Sequence, residues 1–358
     1  MFETPEWVIG LMSGTSADGV DAALIKTDGK KSVEVGPSLL LPYSDLERAD
    51  ILGLMKGQGD RAAIANALTL KHAEAVNLLI KQSGMAREDI KLIGFHGQTI
   101  RHAPHEGITE QIGNAPLLVA KTGISVVSDF RSRDVAEGGQ GAPLVPLYHR
   151  ALADHLPKPL MVVNIGGVAN VTYLGENREI LAFDCGPGNA LMDDWMLHHA
   201  ATRYDANGEF AARGEVDRRC VENFLRDPFF ALPAPKSLDR NHFKSRVAEG
   251  LTAADGVATL AACTVEAIAK TFEHVNDAPK QLLITGGGRH NTTLMAMLAK
   301  RLPKAKIAPV EEVGWNGDML EAEAFGYLAV RSARGLALSL PSTTGVKVKV
   351  TGGALYLV

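Results

Sequence analysis

Twice in this chain an apolar strand runs into a turn of small residues and straight back out along a second apolar strand. The first pass is GLMSGTSADGVDAALI, Gly10 to Ile25. The second is MVVNIGGVANVTYLG, Met161 to Gly175. Short apolar runs joined through Gly, Ser, Asn and Asp read as hairpins and not as helices. Each half of the chain therefore opens with the same kind of unit, a weak internal repeat that implies two similar half-molecules facing each other. The stretch LPKPLM, around Pro157 and Pro159, is the expected boundary between them. At 358 residues there is enough chain for two domains, each with its own core.

Strand-like and helix-like stretches alternate on both sides of that boundary, the pattern of α/β sheets. Ser44 can cap a helix over SDLERADILGLM, and Gly84 stops the helical run RAAIANALTLKHAEAVNLLIKQS. KLIGFHGQTIRH reads as a short strand running into a polar loop, and GISVVSDFRSRD as a strand ending in a charged one. GAPLVPLYHRALADHL is expected to be helical. EILAFD then leads through a Gly-Pro-Gly turn into a helix. TAADGVATLAACTVEAIAKTFEHV is expected to form a long apolar helix, QLLITGGGRHNTTLMAMLAKRL a strand, a triple glycine and a helix, and DMLEAEAFGYLAVRSARG a late helix.

Composition narrows the function classes. The 37 Lys and Arg against 41 Asp and Glu leave a formal net charge of −4, so there is no electrostatic case for nucleic acid or an anionic membrane as partner. No apolar run approaches the ~18 residues of a membrane span. The start MFETPEW carries acids where a signal peptide would have Lys or Arg. Cys185, Cys220 and Cys263 are far apart and form no C-x-x-C. A reducing cytoplasm is the expected setting, without disulfides or structural zinc.

Several short stretches could carry chemistry. In the first hairpin, glycines expose backbone N–H groups that suit phosphate oxygens, and Thr15 and Ser16 add hydroxyl donors. Asp18 and Asp21 could hold a metal–water shell or orient those hydroxyls; the alternative is a plain turn. NIGGVAN, with Gly166 and Gly167, leaves the same choice. Gly286, Gly287 and Gly288, between a strand and a helix, fit either a nucleotide at the helix N-terminus or close strand–helix packing. Asp184 in FDCGPGN ends a strand, at the sheet edge where open α/β sheets bind ligands, or else it caps the next helix or bonds the turn. His96, His102 and His105 fit no zinc spacing, so a polar substrate loop is the better reading for the stretch, and a surface role the first expectation for any one of these histidines. Arg131 could grip a carboxylate with two N–H groups, or be a solvated loop charge beside Arg133. Glu321 alone reads as a surface acid.

Together and in this order, GLMSGTSADGVD, GFHGQTIRH, QIGNAPLLVA, DFRSRDVAEGGQGAPLVP, NIGGVANVT, FDCGPGNALMDDW and ITGGGRHN strongly resemble the anhydro-N-acetylmuramic acid kinase family across nearly the whole chain. The resemblance implies an α/β, two-domain actin-like ATPase (ribonuclease H-like) fold with an ATP cleft between related domains. Residues 1–155 plus 318–358 would form the N-terminal domain with the first phosphate hairpin. Residues 156–317 would form the C-terminal domain with the second hairpin and the adenosine motif. Gly14, Thr15, Ser16, Ala17, Asp18, Gly19, Val20 and Asp21 match the family's ATP-binding loop. Gly166 and Gly167 stand for the second hairpin, and Gly286 to Gly288 for the adenosine motif.

By the same resemblance Asp184 matches the catalytic aspartate, and Gln98, Thr99, Arg131 and Glu321 fall in segments that line the sugar site. The implied activity is ATP-dependent opening of 1,6-anhydro-N-acetylmuramic acid by water, with phosphorylation of O6 to N-acetylmuramic acid 6-phosphate, in peptidoglycan recycling and amino-sugar catabolism. Asp184 would be the general base, Arg131 the partner of the lactyl carboxylate and Glu321 the holder of sugar hydroxyls. Mg²⁺, with no protein ligand assigned, would bridge the phosphates, and a homodimer is implied. One departure stands out. The family often reads Lys-Ser-Thr-Gly after the double Phe, whereas this chain has KSLDR, which leaves open the role of Lys236 and Ser237 but not the core chemistry. Two other readings stay open at this point: an ordinary hydroxyl-directed sugar kinase of the same superfamily, and a nucleotide-gated actin- or chaperone-like protein.

Overall fold

The computed structural model describes residues 4–358, in two compact units: the chain up to His155 together with Met319–Val358, and Leu156–Asp318. Asp318, at the end of the second unit, pairs its carboxylate with Arg289 Nη2 at 2.8 Å. The strands are β1 (Glu6–Ser13), β2 (Gly19–Thr27), β3 (Val33–Pro42), β4 (Ile90–Ala103), β5 (Ile108–Ile112), β6 (Val126–Ser128), β7 (Leu160–Ile165), β8 (Val168–Leu174), β9 (Ile180–Pro187), β10 (Gln281–Thr285), β11 (Lys306–Pro309) and β12 (Ala354–Tyr356).

In the first unit the sheet order is β12-β6-β4-β1-β2-β3, with β5 paired to β4. The first three strands are antiparallel neighbours, and β4 and β6 then add parallel to β1. The second unit repeats this plan with β11-β10-β7-β8-β9: three antiparallel neighbours, then β10 and β11 parallel. Each is the ribonuclease H-like strand order, and its duplication is the actin-like fold class expected from the sequence.

Alternation along the strands decides what covers each face of the first sheet. Ile9 and Leu11 on β1, Val20, Ala22 and Leu24 on β2 and Ile93 and Phe95 on β4 cluster with Val76, Leu79 and Ile80 of the helix Arg61–Ser83. That helix starts at Asp60, whose side chain accepts from Ala62 N and Ala63 N, and stops at Gly84 in a left-handed conformation. The intervening residues Gly10 and Gly94 meet the helix Leu320–Ala333. A Cβ on Gly10 would stand 1.8 Å from the Ala322 carbonyl oxygen, and one on Gly94 2.0 Å from that of Phe325. Only glycine lets the helix lie this close.

In the second unit the helix Ala253–Lys270 is buried over most of its length, as expected of a helix that is apolar all round. It packs into the core formed by Met161, Val163 and Ile165 of β7 and Phe183 of β9. Phe224, Phe229, Phe230 and Phe243 extend that core under the Pro-containing segment.

Four expectations are corrected. β3 was not foreseen: Gly36 and Pro37 interrupt its apolar run. They are tolerated because β3 is an edge strand, with a register shift opposite them. KLIGFHGQTIRH is not a short strand and a loop, since β4 runs unbroken to Ala103 with its polar half paired to β5. GAPLVPLYHRALADHL is helical only from Pro146 to Leu152, followed by a 3-10 turn to His155. Asp184 does not end its strand, because β9 continues to Pro187.

Glu323 is 1% exposed on the helix Leu320–Ala333. Its Oε2 accepts from Tyr148 Oη at 2.8 Å, and its Oε1 has no partner. Burial, opposed by that hydroxyl, raises its pKa from 4.5 to about 7. At about 1.4 kcal/mol per pH unit, the ionised form costs roughly 3 kcal/mol of stability. This cost is absent below about pH 4.5 and grows as pH rises toward 7. Glu323→Gln should therefore gain on the native chain by roughly 2–3 kcal/mol between about pH 5 and pH 8.5. Urea unfolding at the two pH values checks this, and a stability difference that does not change with pH contradicts it.

Candidate active site

The first hairpin turn is built from both sides. Ala17 N donates to Gly14 O, Tyr43 N donates to Asp18 O, and Ser16 Oγ donates to Asp18 Oδ1 at 2.6 Å. Beneath the turn, Ser13 Oγ bonds Tyr43 Oη at 2.9 Å and donates to Gln98 Oε1, while Gln98 Nε2 donates to Gly14 O at 3.1 Å. Thr15, Ser16 and Asp18 are exposed, whereas Ala17, Gly19 and Val20 are buried. The open part of the candidate loop is thus Thr15, Ser16 and Asp18 with Gly14 half-buried beside them, and Ala17, Gly19 and Val20 seat it in the sheet. Gln98 is fully buried. Its amide is engaged with the loop, so it acts as a brace here, a role the sequence reading missed together with Ser13 and Tyr43.

The polar arm of β4 leads to the charged bend. His96 Nδ1 donates to Gly97 O at 2.8 Å in the tautomer that leaves Nε2 to accept from Arg131 Nε at 3.0 Å. Burial and the guanidinium together hold His96 well below the usual histidine range, so it stays neutral. Arg131 Nη1 donates to Gly141 O at 2.7 Å. Gly141 is fixed in turn by Asp134, whose carboxylate accepts from Gly141 N, Ser339 Oγ and Thr344 Oγ1. Among the described residues Arg131 Nη2 carries no hydrogen bond. Thr99 Oγ1 accepts from Gln111 Nε2 at 3.2 Å.

Glu321 sits in the first turn of the helix Leu320–Ala333 with an exposed side chain. Surrounding protein still holds its carboxyl above the ordinary range, with Arg131 pulling it down. Gln98, Thr99, Arg131 and Glu321 all belong to the first unit. His102 bonds Thr109 and His105 is exposed. Among the described residues no three His, Cys, Asp or Glu side chains are placed to hold a metal ion.

In the second unit three glycine segments converge. Asn189 N donates to Gly166 O at 2.7 Å, Gly188 N to Gly167 O at 2.9 Å and Asn189 Nδ2 to Ile165 O at 2.9 Å. Gly286 has φ +75°, and a Cβ there would stand 2.3 Å from Asn164 Oδ1; one on Gly288 would stand 2.4 Å from Ile165 Cγ2. Both are needed for packing against β7, and only Gly287 is exposed. Packing therefore takes Gly286 and Gly288 and leaves Gly287 open within the triple glycine. Arg289 pins it from behind, donating from Nη1 to Gly286 O and from Nε to Glu311.

Asp184 stands on β9 opposite Asn170. It caps no helix. Its Oδ2 accepts from Leu238 N at 2.8 Å, and its own N donates to Lys236 O at 2.9 Å. Oδ1 carries no hydrogen bond among the described residues. Burial raises its pKa to about 6, with the Leu238 N–H opposing. Lys236 points away from it: Nζ donates to Phe229 O at 3.0 Å and lies 4.6 Å from the centre of the Phe229 ring.

A family model described as anhydro-N-acetylmuramic acid kinase matches residues 6–358. This chain belongs to the anhydro-N-acetylmuramic acid kinase family. It is 51% identical to an anhydro-N-acetylmuramic acid kinase of Acidiphilium cryptum (strain JF-5), over 97% of this chain and 97% of that protein. It is 48% identical to one of Rhodopseudomonas palustris (strain BisB18), over 97% and 98%. For one of Paramagnetospirillum magneticum (strain ATCC 700264 / AMB-1) the identity is 48%, over 96% and 98%. The chain is thus a kinase, and ATP is its co-substrate.

If Gln98 braces the phosphate loop of this kinase, Gln98→Leu should raise the KM for ATP roughly tenfold, the scale of one lost buried hydrogen bond and a loosened loop. The KM for the sugar should stay within about twofold. Steady-state kinetics with each substrate varied separately decides it, and the opposite pattern would make Gln98 a sugar contact.

Proposed function

We propose that the chain converts 1,6-anhydro-N-acetylmuramic acid, ATP and water into N-acetylmuramic acid 6-phosphate and ADP in one coupled step, with Asp184 as general base. The family's reaction, part of peptidoglycan recycling, supplies the substrate. The observation that carries the residue role is Asp184 itself. One of its oxygens is fixed by Leu238 N–H, the other has no partner, and its pKa of about 6 suits a base working near neutrality. Water gives its proton to Asp184 as its oxygen bonds C1. The C1–O6 bond breaks, and O6 takes the γ-phosphoryl group as the bond to ADP breaks. The phosphoryl group thus replaces the acid that an inverting glycosidase places at the leaving oxygen.

Gly14, Thr15 and Ser16 offer donors to phosphate oxygens, and Gly166 and Gly167 offer a second set. Gly287 is the open backbone against which the adenosine is proposed to lie. Arg131, with two N–H groups committed to His96 and Gly141, keeps Nη2 for the lactyl carboxylate. Thr99 and Glu321 are assigned to the sugar. Mg²⁺ fits as a phosphate-borne ion that keeps several waters, with the exposed Asp18 carboxylate as a protein oxygen beside it. When bound it offsets phosphate charge. The working form proposed is a cytoplasmic homodimer; no described helix is long and apolar enough to cross a membrane.

Asp184→Asn should lower kcat by roughly 10²–10⁴-fold while ATP and sugar still bind. In the native chain kcat should fall as pH drops through about 6 and Asp184 protonates. In ¹⁸O water, label should enter C1 and not the phosphate. Near-normal turnover in the variant removes Asp184 from the mechanism. A phosphorylated product with the anhydro ring intact makes the chain an ordinary hydroxyl kinase.

A further inference from the structure

The segment around Lys236 has no helix or strand of its own from Leu232 to Asp239, yet it supplies the donor to the proposed base. It touches Asp184 at two points, through Lys236 O at 2.9 Å and Leu238 N at 2.8 Å. Its anchor is the Lys236 side chain. Nζ donates to Phe229 O at 3.0 Å and to Phe230 O at 3.4 Å, with His274 Nε2 3.5 Å away. Those two carbonyls belong to a 3-10 turn, Pro228–Ala231, whose Phe229 and Phe230 rings are buried against Phe224 and Phe243. One ammonium group thus ties the buried aromatic cluster to a segment without helix or strand, whose Ala234 and Leu238 also pack against the core of the second unit.

We propose that Lys236 is a positioning residue for Asp184: by gripping the Phe229 and Phe230 carbonyls it holds the 236–238 segment in register with β9 and aims the Leu238 N–H at Asp184 Oδ2. This rests on Asp184 being the base. The titratable and charged groups facing the pair are Cys185 on β9, whose thiol burial keeps neutral, and Lys270, Glu273 and His274 at the end of the helix that covers the sheet. Removing the anchor frees Leu238 N–H to drift from Oδ2. The base then loses both its orientation and the hydrogen bond that lowers its pKa.

Lys236→Met keeps the apolar stem without the donors, and Lys236→Arg keeps a cationic donor. The measurements are kcat against pH and KM for ATP and the anhydro sugar, with thermal unfolding alongside. In Lys236→Met, kcat should fall about tenfold, as misplacing a catalytic group does, with both KM values within about twofold. The acid limb of the kcat profile should move up by about one pH unit with the lost hydrogen bond. Lys236→Arg should restore most of both. If Lys236→Met does not fold, Lys236→Leu, which also lacks donors, is measured in its place with the same expectation. An acid limb left where it was overturns the proposal, even if kcat has fallen. Should Asp184→Asn keep its turnover, the base assignment falls and this role with it; an inactive Asp184→Asn beside an unmoved limb in Lys236→Met overturns the positioning role alone.

Discussion

The first unit is organised around backbone laid directly on backbone. Gly10 and Gly94 sit side by side on parallel strands, and both face the carbonyls of the helix Leu320–Ala333, with no room for a side chain between them. Contact this close fixes the helix in position and direction. Its C-terminal end lies against Gly29, where β2 has finished. Its first turn therefore lies toward the opposite end of the sheet, where β1 runs into the loop after Ser13. Glu321 is held at the loop's end of the sheet by a contact in which its own side chain takes no part. The same contact drives Glu323, two residues on, into the interior, and leaves one of its oxygens without a partner. A helix this near the sheet has little freedom to move a misfit residue outward.

The two units share a strand order but secure their hairpins differently. In the first, the turn is longer and carries hydroxyls, and buried side chains (Ser13, Tyr43 and Gln98) hold it from below. In the second, the turn is little more than Gly166 and Gly167, and backbone groups of Gly188, Asn189 and Ala190 bond it directly. A loop of exposed small polar residues needs props from elsewhere in the sheet, because its own side chains face outward. A glycine turn has no side chains and can be stitched main chain to main chain. The closeness this requires explains Gly188, where a Cβ would stand 2.1 Å from Gly166 O.

What could be read in the sequence divides along the same line. The hairpins and the long helices announce themselves through residue type: glycine where backbone turns or approaches, a cap at Ser44 or Gly84, a mostly apolar sequence in a helix buried over most of its surface. β3 did not, because an edge strand tolerates the Gly36-Pro37 pair that reads as a break. The far half of β4 did not, because its partner β5 is as polar as itself, so neither strand shows alternation. Arg131 was visible as a charge, but its aim comes from His96 and from a carbonyl fixed by Asp134, a residue that no pattern singles out. Sugar-site roles for Thr99 and Glu321 came only with the family resemblance.

The least legible feature is the one on which the proposed base depends. A carboxylate that is to take a proton from water near neutral pH must be partly desolvated, since in bulk water its pKa is too low. Desolvation alone overshoots: a buried carboxylate with nothing to bond becomes a neutral acid and no longer a base. Asp184 sits between these limits because one backbone N–H opposes its burial, leaving it near 6. That donor belongs to Leu238, and a leucine in a loop gives no sign of it, since any residue but proline carries the same group. The sequence can signal the position only through what holds it there, the lysine two residues earlier and the phenylalanines whose carbonyls it grips. A departure from the usual motif at that segment can therefore leave the chemistry intact, provided the anchor and the N–H remain.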